Sequence, residues 1–129
     1  MSVSMALSKV IEATPQDIMA RLANAETFVL NIVAQWCPDC SERQSLFIND
    51  FAEDLEVKGL SVHQVNVQVE RKIFLSDEHA ALTDLCGGHG YPRTIFVQNG
   101  KIIDSDNVEV ITKNGLAELA QRFKGYLTA

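Results

Sequence analysis

Apolar residues are spaced along this chain in three ways. Residues 27 to 34, TFVLNIVA, form a nearly unbroken apolar run with β-branched members, the pattern of a strand covered on both faces. Residues 60 to 69, LSVHQVNVQV, alternate apolar and polar with a period of two, as a strand does. Elsewhere the spacing is helical. Leu46, Phe47, Phe51 and Leu55 fall on one face of a segment from Pro38 to Val57, and Leu116, Leu119, Ala120 and Phe123 form the stripe of another that ends near Tyr126.

Cap and turn residues divide the rest. Thr14-Pro15-Gln16-Asp17 is a helix start, with a capping hydroxyl, a proline suited to the first helical position and an acid near the positive end of the dipole. It predicts a helix over 15–24 with Ile18, Met19 and Leu22 buried, preceded by a short edge strand over 9–12. Ser76-Asp77-Glu78 opens a helix reaching Leu85, Asn99-Gly100 joins strands 94–98 and 101–104 in a tight hairpin, and Thr112 caps the last helix. The order is β-α-β-α-β-α-β-β-α, which predicts one α/β domain over residues 1–129 with a mixed sheet.

Charge narrows the partners. A net charge of −6 and a pI near 4.9, with no cluster of Lys or Arg, argue against binding to nucleic acid or to an anionic membrane. The first residues, MSVSMALSKVIEA, lack the basic region of a secretory leader, and no apolar run approaches the ~18 residues that span a bilayer. These features predict a cytoplasmic protein, where three cysteines would serve chemistry or metal rather than a disulfide framework.

Two of those cysteines stand in QWCPDC, residues 35–40, where the apolar strand gives way to a helix. A cysteine at a helix N-terminus faces unpaired backbone N–H groups and the positive end of the dipole, which stabilise thiolate over thiol. Cys37 is therefore the candidate nucleophile, and Cys40, one turn on, is placed to attack a mixed disulfide formed at Cys37. Asp39 lies beside the nucleophile, where its charge disfavours a second anion. The third thiol, Cys86, opens the loop CGGHGYP. Cys37, Cys40, Cys86 and His89 together match a zinc pattern of three thiolates and one imidazole, so a metal-loaded or idle dithiol in a binding module is the alternative to redox chemistry. Taken singly, Cys86 reads as a small packed hydrophobe, His89 and Arg93 as solvent-facing, and His63 and His79 as structural.

WCPDC, the segment GYPRTIFVQNG and the capped final helix make the chain resemble the thioredoxin superfamily, and cytosolic thioredoxins within it. The match runs over nearly the whole sequence. The tetrapeptide CPDC is similar to that of the small thioredoxin-related proteins of the Clot type, and Pro38 directly after the first cysteine is shared with glutaredoxins. The resemblance implies a thioredoxin fold, a central mixed β-sheet flanked by helices on both faces, and a thiol–disulfide oxidoreductase that needs no cofactor beyond its own redox-active Cys37–Cys40 disulfide. It implies disulfide-containing protein or small-thiol substrates, with a thioredoxin reductase or glutathione as electron donor. It also implies that Pro92 is a cis-proline facing the dithiol, that the Tyr91 backbone pairs with substrate, and that Trp36 shapes the rim. The departures lie deeper: the family's buried acid and its lysine partner fall on Asn31 and Gln64, a pair that can hydrogen-bond without burying charge.

Overall fold

The computed structural model describes residues 9–128; residues 1–8, part of the stretch without a leader's basic region, lie outside the described residues. Strands β1 (Val10–Glu12), β2 (Phe28–Ala34), β3 (Val62–Glu70), β5 (Arg93–Gln98) and β6 (Lys101–Val108) form one mixed sheet in the order β1-β3-β2-β5-β6, and the two-residue β4 (Ile73–Phe74) folds back on the end of β3. β3 runs parallel to β1 and β2, whereas β5 and β6 are antiparallel to their neighbours. The β5–β6 turn sets both Asn99 and Gly100 at positive φ, 53° and 77°, as a two-residue primed turn demands.

Because β2 is central, all seven of its residues are buried, and alternate side chains feed opposite cores. Leu30, Ile32 and Ala34 join Ile18 of α1 (Pro15–Ala23) and Leu82 of α3 (Asp77–Leu85). Val29 faces Phe51 and Leu55 of α2 (Ile48–Glu56) and Leu116 and Phe123 of α4 (Lys113–Tyr126). Helices therefore cover both faces. Each cap read from the sequence is formed: the Thr14 hydroxyl accepts from the Asp17 N–H, Ser76 from His79 and Thr112 from Gly115.

The structure corrects the reading of the elements in several places. Met19, expected inside, is 50% exposed over a groove between α1 and α3, because the helix turns Ile18 and Leu22 toward the core instead. The long helix expected over 38–57 is broken into a wide π turn (Asp39–Arg43), a 3-10 turn (Gln44–Leu46) and α2. Ser41 and Ser45 each donate a hydroxyl to the carbonyl four residues back, on Cys37 and Ser41, a bond that bends helices. The irregular winding turns Gln44 inward and Leu46 out, leaving Leu46 69% exposed. β4 had no signal of its own at two residues, and β6 continues past Asp104 to Val108.

His63 and His79 are structural. His79 bonds the cap residue Ser76, and His63 is buried edge-on to Phe28 with one ring nitrogen on the Ser61 hydroxyl. Burial, and then the nearby Arg21 charge, hold its pKa below the usual histidine value. The unfolded chain therefore binds the extra proton first, so this contribution to stability is present above about pH 6.5 and is lost as pH falls through and below it. Urea unfolding followed between about pH 7.5 and 5.5 should give a falling free energy whose slope is flattened in His63→Leu. An unchanged slope in the variant would assign the pH dependence to other groups.

Candidate active site

β2 delivers the dithiol. After Ala34 the chain turns through Gln35 and Trp36, the Cys37 N–H donates to the Ala34 carbonyl, and the Cys37 carbonyl accepts from the N–H groups of Cys40 and Ser41. Cys37 thus stands at the mouth of the helical segment, with Pro38 (φ −60°) pre-set for helix entry. The Cys37 thiol lies 3.7 Å from the Tyr91 carbonyl oxygen. Cys40 is turned beneath, where its Sγ accepts the Ala34 N–H at 3.5 Å. Burial pushes its pKa up to about 12, with smaller upward pushes from Cys37 and Asp39. Both cysteines are buried free thiols, and Cys40 holds its proton tightly.

Asp39, expected to burden Cys37 with its charge, is paired with the Arg43 guanidinium at 2.7 Å. Trp36 is half-buried. Its indole N–H donates to the Gln68 side-chain oxygen at 2.8 Å, its ring meets Tyr91 edge-on with centroids 6.3 Å apart, and the Arg71 guanidinium lies over its face at 5.3 Å. Tyr91 and Pro92 are buried, the peptide bond between them is cis, and the Pro92 carbonyl accepts from the Glu109 N–H. Trp36, Cys37, Tyr91 and Pro92 are thereby brought to one place.

Beneath the dithiol the expected Asn31–Gln64 pair is present and belongs to something larger. The register sets Thr94 of β5 beside Asn31 of β2, Asn31 beside Gln64 of β3, and Gln64 beside Glu12 of β1. Hydrogen bonds follow the same row: the Thr94 hydroxyl donates to Asn31 Oδ1 (2.8 Å), Asn31 Nδ2 to Gln64 Oε1 (2.9 Å), and Gln64 Nε2 to Glu12 Oε2 (3.2 Å). Every donor points toward the Glu12 carboxylate. Gln44 completes the set, accepting from Asn31 Nδ2 at 2.8 Å and donating to the Val110 carbonyl at 3.1 Å. Asn31 is 0% exposed, so its hydrogen bonds are made inside the protein. Sequence reasoning missed Gln44, Thr94 and Glu12. A glutamine facing inward from the expected helix was the one available signal, and only the fold supplies the other two.

The zinc pattern is not assembled. Cys86 is buried in the core with its thiol pushed up to about 12, by burial above all, whereas His89 is exposed. Among the described residues no three His, Cys, Asp or Glu side chains converge as a metal site requires. Arg93, read as solvent-facing, is instead 6% exposed and donates to the carbonyls of Ser105 and His89. The glycines of CGGHGYP make room for this: a Cβ on Gly87 would lie 2.6 Å from the Arg93 guanidinium, and one on Gly90 2.8 Å from Val108, at φ values of +117° in both.

No protein-family model and no curated protein matches the chain. Solved structures do match in shape. They include mitochondrial thioredoxin 3 from Saccharomyces cerevisiae (12% identity, 91% of this chain and 98% of that one, TM-score 0.65), a thioredoxin from Malassezia sympodialis (15%, 88% and 90%, 0.66) and the germline-specific thioredoxin Deadhead from Drosophila melanogaster (19%, 87% and 96%, 0.63). The chain has the thioredoxin fold, with its CxxC at the junction of β2 and the helical segment.

Removing the Asn31 carboxamide leaves Gln44, Gln64 and Thr94 without their shared partner. Asn31→Leu should lower the unfolding free energy by about 2–4 kcal/mol in a denaturant titration, the cost of stranding buried polar groups. A loss below about 1 kcal/mol would mean that the row relaxes around an apolar residue.

Proposed function

We propose that this protein is a thiol–disulfide oxidoreductase that reduces disulfides of proteins or small thiols in the cytoplasm. The observation that carries the reading is the placement of the pair: both thiols are buried, Cys37 at the helix mouth with its thiol 3.7 Å from the Tyr91 carbonyl, and Cys40 one turn on under the Ala34 N–H, where burial holds its proton to about 12. That placement orders two exchange steps. The Cys37 thiolate attacks a substrate sulfur, one substrate thiol leaves, and a mixed disulfide stands at Cys37. Cys40 then attacks Cys37 Sγ, which releases the second substrate thiol and leaves the Cys37–Cys40 disulfide. Electrons pass from dithiol to substrate disulfide, two in all, and no cofactor takes part.

The neighbours suit such a cycle. The buried Tyr91 and Pro92 bring backbone against the nucleophile, where an extended substrate segment could pair, and Trp36 with Arg71 forms an amphipathic rim. A thioredoxin reductase or glutathione would return the enzyme to the dithiol. The alternative, a binding module with an idle or zinc-loaded pair, has less support, since Cys86 and His89 do not join the dithiol.

Insulin-disulfide reduction tests the reading. Wild type should turn over with NADPH and thioredoxin reductase or with glutathione and its reductase, and the donor that supports turnover identifies the physiological class. Cys37→Ser should fall to background, while Cys40→Ser should accumulate a mixed disulfide detectable by mass. Turnover in Cys37→Ser equal to wild type would sink the assignment.

A further inference from the structure

Resolution of the mixed disulfide needs a base. Only a thiolate attacks, and Cys40 holds its proton up to about 12, so at neutral pH something must accept that proton as the S–S bond forms. The residue at the position where the resemblance expects an acid is Asn31, a carboxamide already spending both amide hydrogens on Gln44 and Gln64. It cannot serve.

Cys40 borders a cavity of about 310 Å³ whose walls also carry Ser41, Gln44, Gln64, Asn66 and Glu12. Most of its exposed lining is apolar, Val33 and Ile48 included, but these polar side chains project into it and the space is large enough for several waters. Glu12 is the one charged side chain among its lining residues. The exposed carboxylate is held at the end of the polar row by the Gln64 amide, and its partial desolvation there, opposed by that bond, raises its pKa from the ordinary value. A weaker acid is a better proton acceptor at neutral pH. We propose that Glu12 is the proton acceptor for Cys40 during resolution, reached through water in this cavity.

The step rests on the oxidoreductase reading, and its atoms balance. Cys40 gives its proton through water to Glu12, and the Cys40 thiolate attacks Cys37 Sγ. The bond from Cys37 to the substrate sulfur breaks as the Cys37–Cys40 bond forms. The substrate sulfur departs as thiolate and takes a proton from solvent, while Glu12 returns its own to solvent. The other groups that face the path are Cys37 and Asp39 on the dithiol side, with Asp39 paired to Arg43, and neutral Gln64, Gln44, Ser41 and Ser45 from β3 and the helical turns. Lys9, just before β1, is paired with Glu56 at the end of α2.

The experiment is stopped-flow mixing of the reduced protein with excess 5,5′-dithiobis(2-nitrobenzoate) across a range of pH. The first, concentration-dependent release of thionitrobenzoate reports attack by Cys37; the second, concentration-independent release reports resolution by Cys40. In wild type the second rate should be level across neutral pH and fall at acid pH as Glu12 is protonated. Glu12→Gln should leave the first phase within about twofold, slow the second by at least about tenfold, and replace the level region with a rate that climbs with pH. Glu12→Asp should be slower than wild type but keep the level region and its acid limb, and it carries the test should Glu12→Gln not fold. A second phase with wild-type rate and pH profile in either variant would overturn the role of Glu12 alone. Absence of the first phase in wild type would overturn the redox reading itself.

Discussion

The buried carboxamide of Asn31 is the constraint on which this molecule turns. It accepts from Thr94, donates to Gln44 and Gln64, and so ties β2 to β5, to β3 and to the irregular turn after the dithiol. A strand's side chains alternate between faces, so a slip of one residue in β2 would carry Asn31 into the apolar core of Leu30 and Ile32 and strand all three partners. The row therefore fixes the register of the sheet. It also fixes where β2 ends, and with that the point at which Ala34 presents its N–H to Cys40 and its carbonyl to Cys37.

The same carboxamide explains the broken helix. A regular helix from Pro38 would carry one apolar face over the sheet, but Gln44 has to reach Asn31 and the Val110 carbonyl. The wide turn over Asp39–Arg43 and the tight one after it make that approach, with Ser41 and Ser45 bonded back to the carbonyls they loosen. Leu46 is left facing water as a consequence.

What could be read in advance follows from how local its cause is. The strands β2 and β3, the capped helices and the Asn99–Gly100 hairpin depend on side-chain period and on cap and turn chemistry within a few residues, and they lie where that chemistry puts them. The dithiol and its loop were legible because residue type and spacing carry them. Met19, Leu46, Arg93 and the helix break were not, because each is decided by contacts distant in sequence. Arg93 shows the reason most plainly: a charge after a proline reads as solvated until a glycine loop folds over it and supplies carbonyls. Glu12, on a three-residue edge strand, acquires its meaning only from the two strands beside it.

Placing the acid at the edge rather than in the middle of the sheet has a physical logic. A carboxylate at position 31 would be fully desolvated beside an almost equally buried thiol, and ionising either would raise the cost of ionising the other. Neutral amides carry the polar row through the core instead, and they end on a carboxylate that keeps one side toward water. Each donor in the row is oriented by the charge at its end, so Glu12 polarises the amides without being buried with them. The arrangement separates two demands that a central acid has to meet together: the amides hold the sheet in register, and the acid exchanges protons. A proton accepted at Glu12 reaches solvent directly, whereas one accepted at position 31 would have to leave through the core.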